Sequence, residues 1–226
     1  MEHFVDKDSI VREIWGKSDT ILMVFAGASA EFALNKTVDW LYYTSKLPKD
    51  PLGRLFSTVN YAKAIVFSKN ETALKAIDTI NNIHSSVENS RGKKIPEWAY
   101  KDVLFMLIDY SIRSYELLQR PLTNNEKQEV LNVFNRVGSR MKINNLPLTC
   151  SDFQLARKAH LNQNLDNSTL TKDLYKQYRK HLGIFRYHLL LESQILLLPD
   201  SARQMLNLRK ISLLVPMISV YKFFRS

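Results

Sequence analysis

The sequence predicts an all-α protein, folded as one domain of about six to nine helices. Apolar residues recur at offsets of three and four along most of the chain, which is the period of one helix face. The 226 residues include only 6 Gly and 7 Pro, which disfavours a turn-rich β-sandwich. No run of alternating strands and no strand–glycine–helix unit interrupts the pattern.

Local signals place the predicted helices along the chain. Asp50-Pro51 is typical of a helix start, because Asp accepts hydrogen bonds from free N–H groups and Pro suits the first turn. Residues 73–88 and 103–118 each carry an apolar stripe at helical spacing. Thr123–Glu126 fits a capping box. Later starts are predicted at Ser151 and Leu170–Asp173, a loop or helix end at 161–168, and breaks at 46–50, 89–96, near 121 and 144–148.

Composition indicates a globular protein, with 45% hydrophobic and 24% charged residues, and we take residues 1–226 as a single domain. The one cysteine, Cys150, excludes a disulfide scaffold and a cysteine-rich metal site. The acidic N-terminus does not resemble a signal peptide, so we expect a cytoplasmic protein with Cys150 reduced. The apolar stretches 21–28 and 211–221 are shorter than the roughly 20 residues that span a bilayer. We expect the second stretch in the core or at a partner surface.

His84 lies in an apolar stripe with Ile77, Ile80 and Val87, so its ring is expected to point into the protein. One interpretation is a core histidine satisfied by hydrogen bonds. The other is a haem ligand, because one axial imidazole suffices when the macrocycle supplies the other four ligands. A bare zinc or non-haem iron site would need more ligands than this stripe offers.

A second candidate group follows the predicted helix start at Asp50. Arg54 and Thr58 are four residues apart, so they share a helix face, and Ser57 lies beside them. This group is either a solvated polar face or a polar cluster that contacts a cofactor or oxygen.

Other residues carry weaker signals. His181 and His188 could share a helix face, but the H-E-x-x-H motif is absent, which favours surface residues. Cys150 has no spacing that supports a Cys/His catalytic pair. Asp109 is either a buried partner for an arginine such as Arg113 or an acid of a cofactor pocket.

Several segments occur in an order that resembles a known family. They are Ile14-Trp15-Gly16, the run from Asp50 to Thr58, Ile83–Val87 around His84, and Asp109–Glu116, with about thirty residues between Arg54 and His84. The chain thereby resembles the rubber-oxygenase catalytic domains, which include latex-clearing proteins and the fungal oxygenase of mycophenolic acid biosynthesis. The resemblance covers roughly residues 10–210 and leaves a basic C-terminal tail.

The resemblance implies a globin-like helical fold that binds haem b through one axial histidine, which falls on His84. The family motif Arg-x-x-Lys-Thr falls on Arg54, Ser57 and Thr58, so Ser57 replaces the lysine. In latex-clearing proteins that lysine is associated with closing the open coordination position, and a serine is too short to do so. A His-Pro step of many relatives is Asn35-Lys36 here. These departures bear on the substrate and reaction more than on the haem.

The function that the resemblance implies is a haem b-dependent oxygenase. It would act with O2, activated at the iron held by His84, on a hydrophobic and unsaturated small molecule of isoprenoid or lipid type. Arg54, Ser57 and Thr58 would be the catalytic residues, with Arg54 and Thr58 also contacting the cofactor. Phe56 and Tyr61 could line the pocket. The alternatives are a non-catalytic haem sensor or carrier, and a basic helical protein without cofactor that binds membranes or nucleic acid.

The net charge of +10 is concentrated toward the C-terminus. Residues 151–226 contain 12 Lys and Arg against 5 Asp and Glu, and Lys176, Arg179, Lys180 and Arg186 follow helical spacing. The absence of a helix-turn-helix or similar motif disfavours specific nucleic-acid binding. Transient contact with an anionic membrane surface would suit a lipophilic substrate.

Overall fold

The computed structural model describes residues 2–44 and 49–224, and the side chains of residues 51, 52, 54 and 55 lie outside that description. The described residues form eleven helices and no sheet, which confirms the all-α prediction. The helices are α1 (Ile10–Gly16), α2 (Ser18–Leu34), α3 (Val38–Tyr43), α4 (Pro51–Phe67), α5 (Asn70–Arg91), α6 (Glu97–Leu118), α7 (Asn124–Arg140), α8 (Cys150–Gln163), α9 (Thr169–Leu197), α10 (Asp200–Met205) and α11 (Val215–Phe223). The predicted number of helices is too low because α3 and α10 have 6 residues each, too few for a periodic pattern.

Side-chain caps set several of the helix starts. The Asp50 side chain accepts from the Gly53 N–H at α4, and Thr123 and Glu126 form the predicted capping box at α7. Two predicted starts are wrong by one or two residues. Helix α8 begins at Cys150, with Thr149 as its cap, and α9 begins at Thr169, with Ser168 as its cap. In both, the hydroxyl residue just before the first turn satisfies a free N–H group.

Helix α2 packs closely against α6 at the centre of the bundle. A Cβ atom added at Gly27 would lie 2.3 Å from a ring carbon of Tyr110 on α6. The Tyr110 hydroxyl donates to Glu31, one turn along α2, at 2.8 Å, and both side chains are buried. The glycine therefore permits an approach between the two helices that any larger residue would prevent.

A buried charge cluster joins α2, α6 and α8. The Arg157 guanidinium donates to both carboxylate oxygens of Glu31 at 2.5 Å and to Asp109 at 3.2 Å. Arg113 donates to the other Asp109 oxygen at 2.8 Å, which confirms the predicted pairing. Burial disfavours a charge on Arg157, but the adjacent Glu31 and Asp109 outweigh it and raise the pKa of the guanidinium. The cluster is thus an ion-pair network in the protein interior.

Helix α9 folds back on itself at Gly183, which has the left-handed φ of 71°. The Tyr175 hydroxyl donates to the Gln194 side chain at 2.9 Å, although these residues would be about 28 Å apart on a straight helix. We call residues 169–197 the α9 hairpin and residues 181–189 its tip. His181 and His188 lie on different arms of the hairpin, so the predicted shared helix face is wrong.

The C-terminal segment lies mostly at the surface. Helix α11 has no buried residue, and Met217, Val220 and Phe224 are exposed. The stretch 211–221 therefore presents apolar surface and is not part of the core, apart from the buried Ser212. Within residues 2–44 and 49–224, no helix has both the length and the apolar character required to cross a bilayer.

Replacing Gly27 by alanine is expected to reduce the free energy of unfolding by about 1–3 kcal/mol, because the new methyl group would overlap the Tyr110 ring. The matched control is Gly16→Ala, where the nearest atom to an added Cβ is 3.9 Å away, and a change within about 0.5 kcal/mol is expected. Urea unfolding followed by circular dichroism measures both. Equal stability of the two variants would contradict the close helix contact.

Replacing Arg157 by methionine is expected to lower the free energy of unfolding by about 3–5 kcal/mol, because buried Glu31 loses its cationic partner and Asp109 keeps only Arg113. The control is Arg140→Met. Arg140 pairs with Asp78 at 2.6 Å on the surface, where loss of one ion pair costs about 0–1 kcal/mol. Chemical unfolding of the two variants checks the difference, and a loss at Arg157 no larger than at Arg140 would disprove the structural importance of the cluster.

Candidate functional site

A cavity of about 650 Å³ lies inside the bundle, bounded by α2, α3, α4, α5, α6, α7 and α9. Most of its wall is apolar and includes Phe25, Ile65, Val66, Leu104, Val133 and Phe134. These residues belong to apolar helix faces, on which apolar residues recur every three or four positions. The faces that form the core therefore also line the cavity. The volume is in the range of about 300–1,000 Å³ that is usual for ligand and cofactor sites.

His84 lines the cavity from the middle of α5, together with Ile80 and Val87 of the same stripe. It carries the one imidazole among the lining side chains that the structure describes. Its ring packs against Tyr100 of α6, with the centroids 5.1 Å apart. The predicted orientation of His84 toward the interior is therefore confirmed, and its role as a ligand remains a prediction.

The ring beside His84 is fixed by a buried carboxylate. The Tyr100 hydroxyl donates to Glu88 at 3.2 Å, and Glu88 also accepts from the Lys94 ammonium and the Ile95 N–H, each at 2.9 Å. Burial of Glu88 favours its neutral form, but these three donors more than offset it and lower its pKa. The charged Glu88 in turn adds to burial in raising the pKa of Tyr100, so this phenol stays neutral. Hydrogen bonds to Glu88 therefore hold the Tyr100 ring that packs against His84.

The second candidate group lies on α4. Ser57 and Thr58 line the same cavity as His84, and so do the predicted aromatic residues Phe56 and Tyr61. Arg54 lies one turn before Thr58 on α4, but its side chain is outside the described residues. The structure therefore brings two of the three predicted polar residues to the cavity that His84 lines.

Asn35 adds a polar point to the α2 end of the cavity wall. Its side-chain amide donates to buried Asp102 of α6 at 2.8 Å, and its oxygen accepts from the Thr37 N–H at 2.9 Å. Asp102 also contacts His160 of α8. Asn35 therefore connects the turn between α2 and α3 to Asp102 on α6 through a buried hydrogen bond. The sequence marked this position only as a departure from a family pattern.

Among the lining residues whose side chains the structure describes, Arg186 is the one that carries a permanent charge. It lies on the second arm of the α9 hairpin, three residues after Gly183. The sequence pattern predicted Arg186 on a basic helix face and did not indicate its position at the cavity. A glycine inside a helical pattern is the signal that could have indicated a fold-back there.

Several other candidates lie away from the cavity. Cys150, Asp109, His181 and His188 are not among its lining residues. Burial raises the pKa of the Cys150 thiol, with Lys127 partly opposing the shift, so a reactive thiolate is disfavoured. In the part of the chain that the structure describes, no group of three or more His, Cys, Asp or Glu side chains could hold a metal ion.

The comparison with protein families gives one match, which extends over most of the chain. A family model described as "ER-bound oxygenase mpaB/B'/Rubber oxygenase, catalytic domain" matches residues 15–219. No curated protein and no solved structure matches the chain. The matched range includes the cavity, His84 and the α4 residues, and the family points to an oxygenase enzyme. The chain belongs to the mpaB and rubber-oxygenase catalytic domain family.

Proposed function

We propose that this oxygenase depends on haem b and acts on a hydrophobic, unsaturated small molecule of isoprenoid or lipid type. The observation that carries the proposal is a cavity of about 650 Å³ whose mostly apolar wall includes the imidazole of His84. Membership of an oxygenase family supports this function over a non-catalytic haem sensor or carrier.

The residues around the cavity fit haem b in three respects. The volume lies within the usual range for cofactors. One imidazole is enough to hold iron when a macrocycle supplies four ligands, and His84 would be that metal ligand. Arg186 provides a cationic group that could pair with a propionate carboxylate. When bound, haem supplies the redox-active iron for the reaction with O2.

The protein's own residues would bind, orient and protect the reactants. The apolar wall would hold a hydrocarbon chain and exclude water, which strengthens the few polar contacts inside. We propose that the Thr58 hydroxyl donates a hydrogen bond into the cavity, and that Arg54 acts beside it on α4. Ser57 replaces the family lysine with a side chain too short to reach across the cavity, so space remains for a ligand. The cytoplasmic location stays a prediction.

Replacing His84 by alanine is expected to abolish haem binding, because the proposed iron ligand is lost. The purified protein would be reconstituted with haem, and the Soret absorption band measured. The matched control is His188→Ala, since His188 is exposed and does not line the cavity. If the wild-type protein shows no Soret band after reconstitution, the cofactor proposal is wrong. If the band survives unchanged in His84→Ala, His84 is not the ligand.

Replacing Thr58 by valine keeps the side-chain volume but removes the hydroxyl. We expect it to lower substrate-dependent O2 consumption at least about tenfold while haem content is retained, because a hydrogen-bond donor in a dry site is lost. Thr79→Val is the control, since the Thr79 hydroxyl bonds to the Lys75 carbonyl of its own helix and lies outside the cavity wall. An oxygen electrode with an unsaturated isoprenoid measures the rate. Reversible gas binding without consumption would indicate a carrier or sensor.

A further inference from the structure

The tip of the α9 hairpin lies where the cavity meets the surface. Leu189 and Arg186 of the tip line the cavity, together with Leu22, Phe56 and Ile83 of other helices. All four of these apolar side chains are exposed, and so is Arg186, so the cavity wall reaches the surface at the hairpin tip. We call this part of the wall the mouth of the cavity, and most of its side chains are apolar.

The tip also carries the most exposed apolar side chains near that mouth. Ile184 is 66% exposed and Phe185 is 83% exposed. Gly183 makes this possible, because its positive φ ends the first arm and turns the following residues outward. Exposure of an isoleucine and a phenylalanine side by side is costly in water, which points to an apolar environment for the tip.

The charge around the tip selects the type of apolar environment. Between Asp173 and Glu192 the chain has no acidic residue, while Lys176, Arg179, Lys180 and Arg186 are basic. Arg179 and Lys180 are both exposed on the first arm. Apolar side chains at a tip flanked by lysine and arginine are the pattern of an interfacial segment that binds anionic lipid.

A second exposed apolar segment is attached to the second arm of the hairpin. The backbone N–H of Leu213 and the hydroxyl of Ser212 donate to Glu192 of the second arm at 2.7 and 2.9 Å. Glu192 lies three residues after Leu189, so Leu213 is held near the hairpin. Ile211 and Leu213 are each 70% exposed. The segment before α11 thus adds two further exposed apolar side chains to the C-terminal part of the chain.

We propose that the tip of the α9 hairpin docks the protein on an anionic phospholipid surface, with Ile184 and Phe185 inserted among the lipids and Arg179 and Lys180 at the headgroups. This contact places the cavity mouth against the membrane, from which a lipophilic molecule can pass into the cavity without crossing water. Docking needs neither haem nor turnover, so it goes beyond the proposed function and stands or falls separately from it.

The test is sedimentation of the full chain with phosphatidylcholine vesicles that contain either no anionic lipid or about one third phosphatidylserine. The wild-type protein is expected to bind the anionic vesicles at least about tenfold more tightly than the neutral ones, and to dissociate as salt is raised. The double variants Ile184→Ser/Phe185→Ser and Arg179→Gln/Lys180→Gln are each expected to weaken binding to anionic vesicles about tenfold or more. Circular dichroism confirms that each variant is folded.

Two matched controls distinguish binding through the hairpin tip from nonspecific adsorption to vesicles. Leu148→Ser/Leu155→Ser removes two apolar side chains that are 77% and 68% exposed elsewhere, and Lys75→Gln/Lys158→Gln removes two exposed charges. Both are expected to bind like the wild type. Absence of wild-type binding at low salt, or equal losses in tip and control variants, would overturn the proposal. So would light scattering that shows a dimer dissociated by the tip substitutions, because the surface would then bind a second copy of the chain.

Discussion

The contact of Arg157 with Glu31 and Asp109 is the constraint on which the rest of the structure depends. It fixes α8 against α2 and α6, while other residues of α2, such as Phe25 and Phe32, line the cavity. Side chains that line a cavity lack packing contacts on one side, so the helices around it must be stabilised by interactions outside the cavity. Helix α2 has that support, since the ion pairs and the close approach at Gly27 fix its position.

The parts of the fold that depend on neighbours in sequence could be predicted. The Thr123–Glu126 capping box and the Asp50 cap need only three or four residues, so their pattern is complete in the sequence. The Arg157–Glu31 pair joins residues 126 apart, and no periodicity indicates it. The fold-back at Gly183 lies between these cases. The glycine is visible in the sequence, but the second arm contacts α2 through Gln194, which donates to the Ser29 hydroxyl at 3.1 Å, and no local pattern indicates that contact.

The residues of the candidate site also differ in how far the sequence predicts their position. The inward orientation of His84 could be predicted, because it lies in an apolar stripe of one helix. The shared helix face of Arg54 and Thr58 could be predicted, because the two residues are one turn apart. Arg186 could not, because a straight α9 would carry it away from the cavity. The charge pattern nevertheless predicted that Arg186 belongs to a basic segment, although it did not predict where in the fold that segment lies.

Access is therefore as important to the proposed chemistry as the interior of the cavity. A hydrophobic pocket distinguishes ligands that differ by one methylene group by only about 1–3 kcal/mol. Most of the cavity wall is apolar, and the polar side chains that could add selectivity include Asn35, Ser57, Thr58 and Arg186. An apolar mouth placed at a lipid surface supplies selection of another kind, because only molecules that partition into the membrane are concentrated there. The substrate of such an oxygenase would be selected first by its partitioning into the membrane and then by the fit of its hydrocarbon chain in the cavity beside His84.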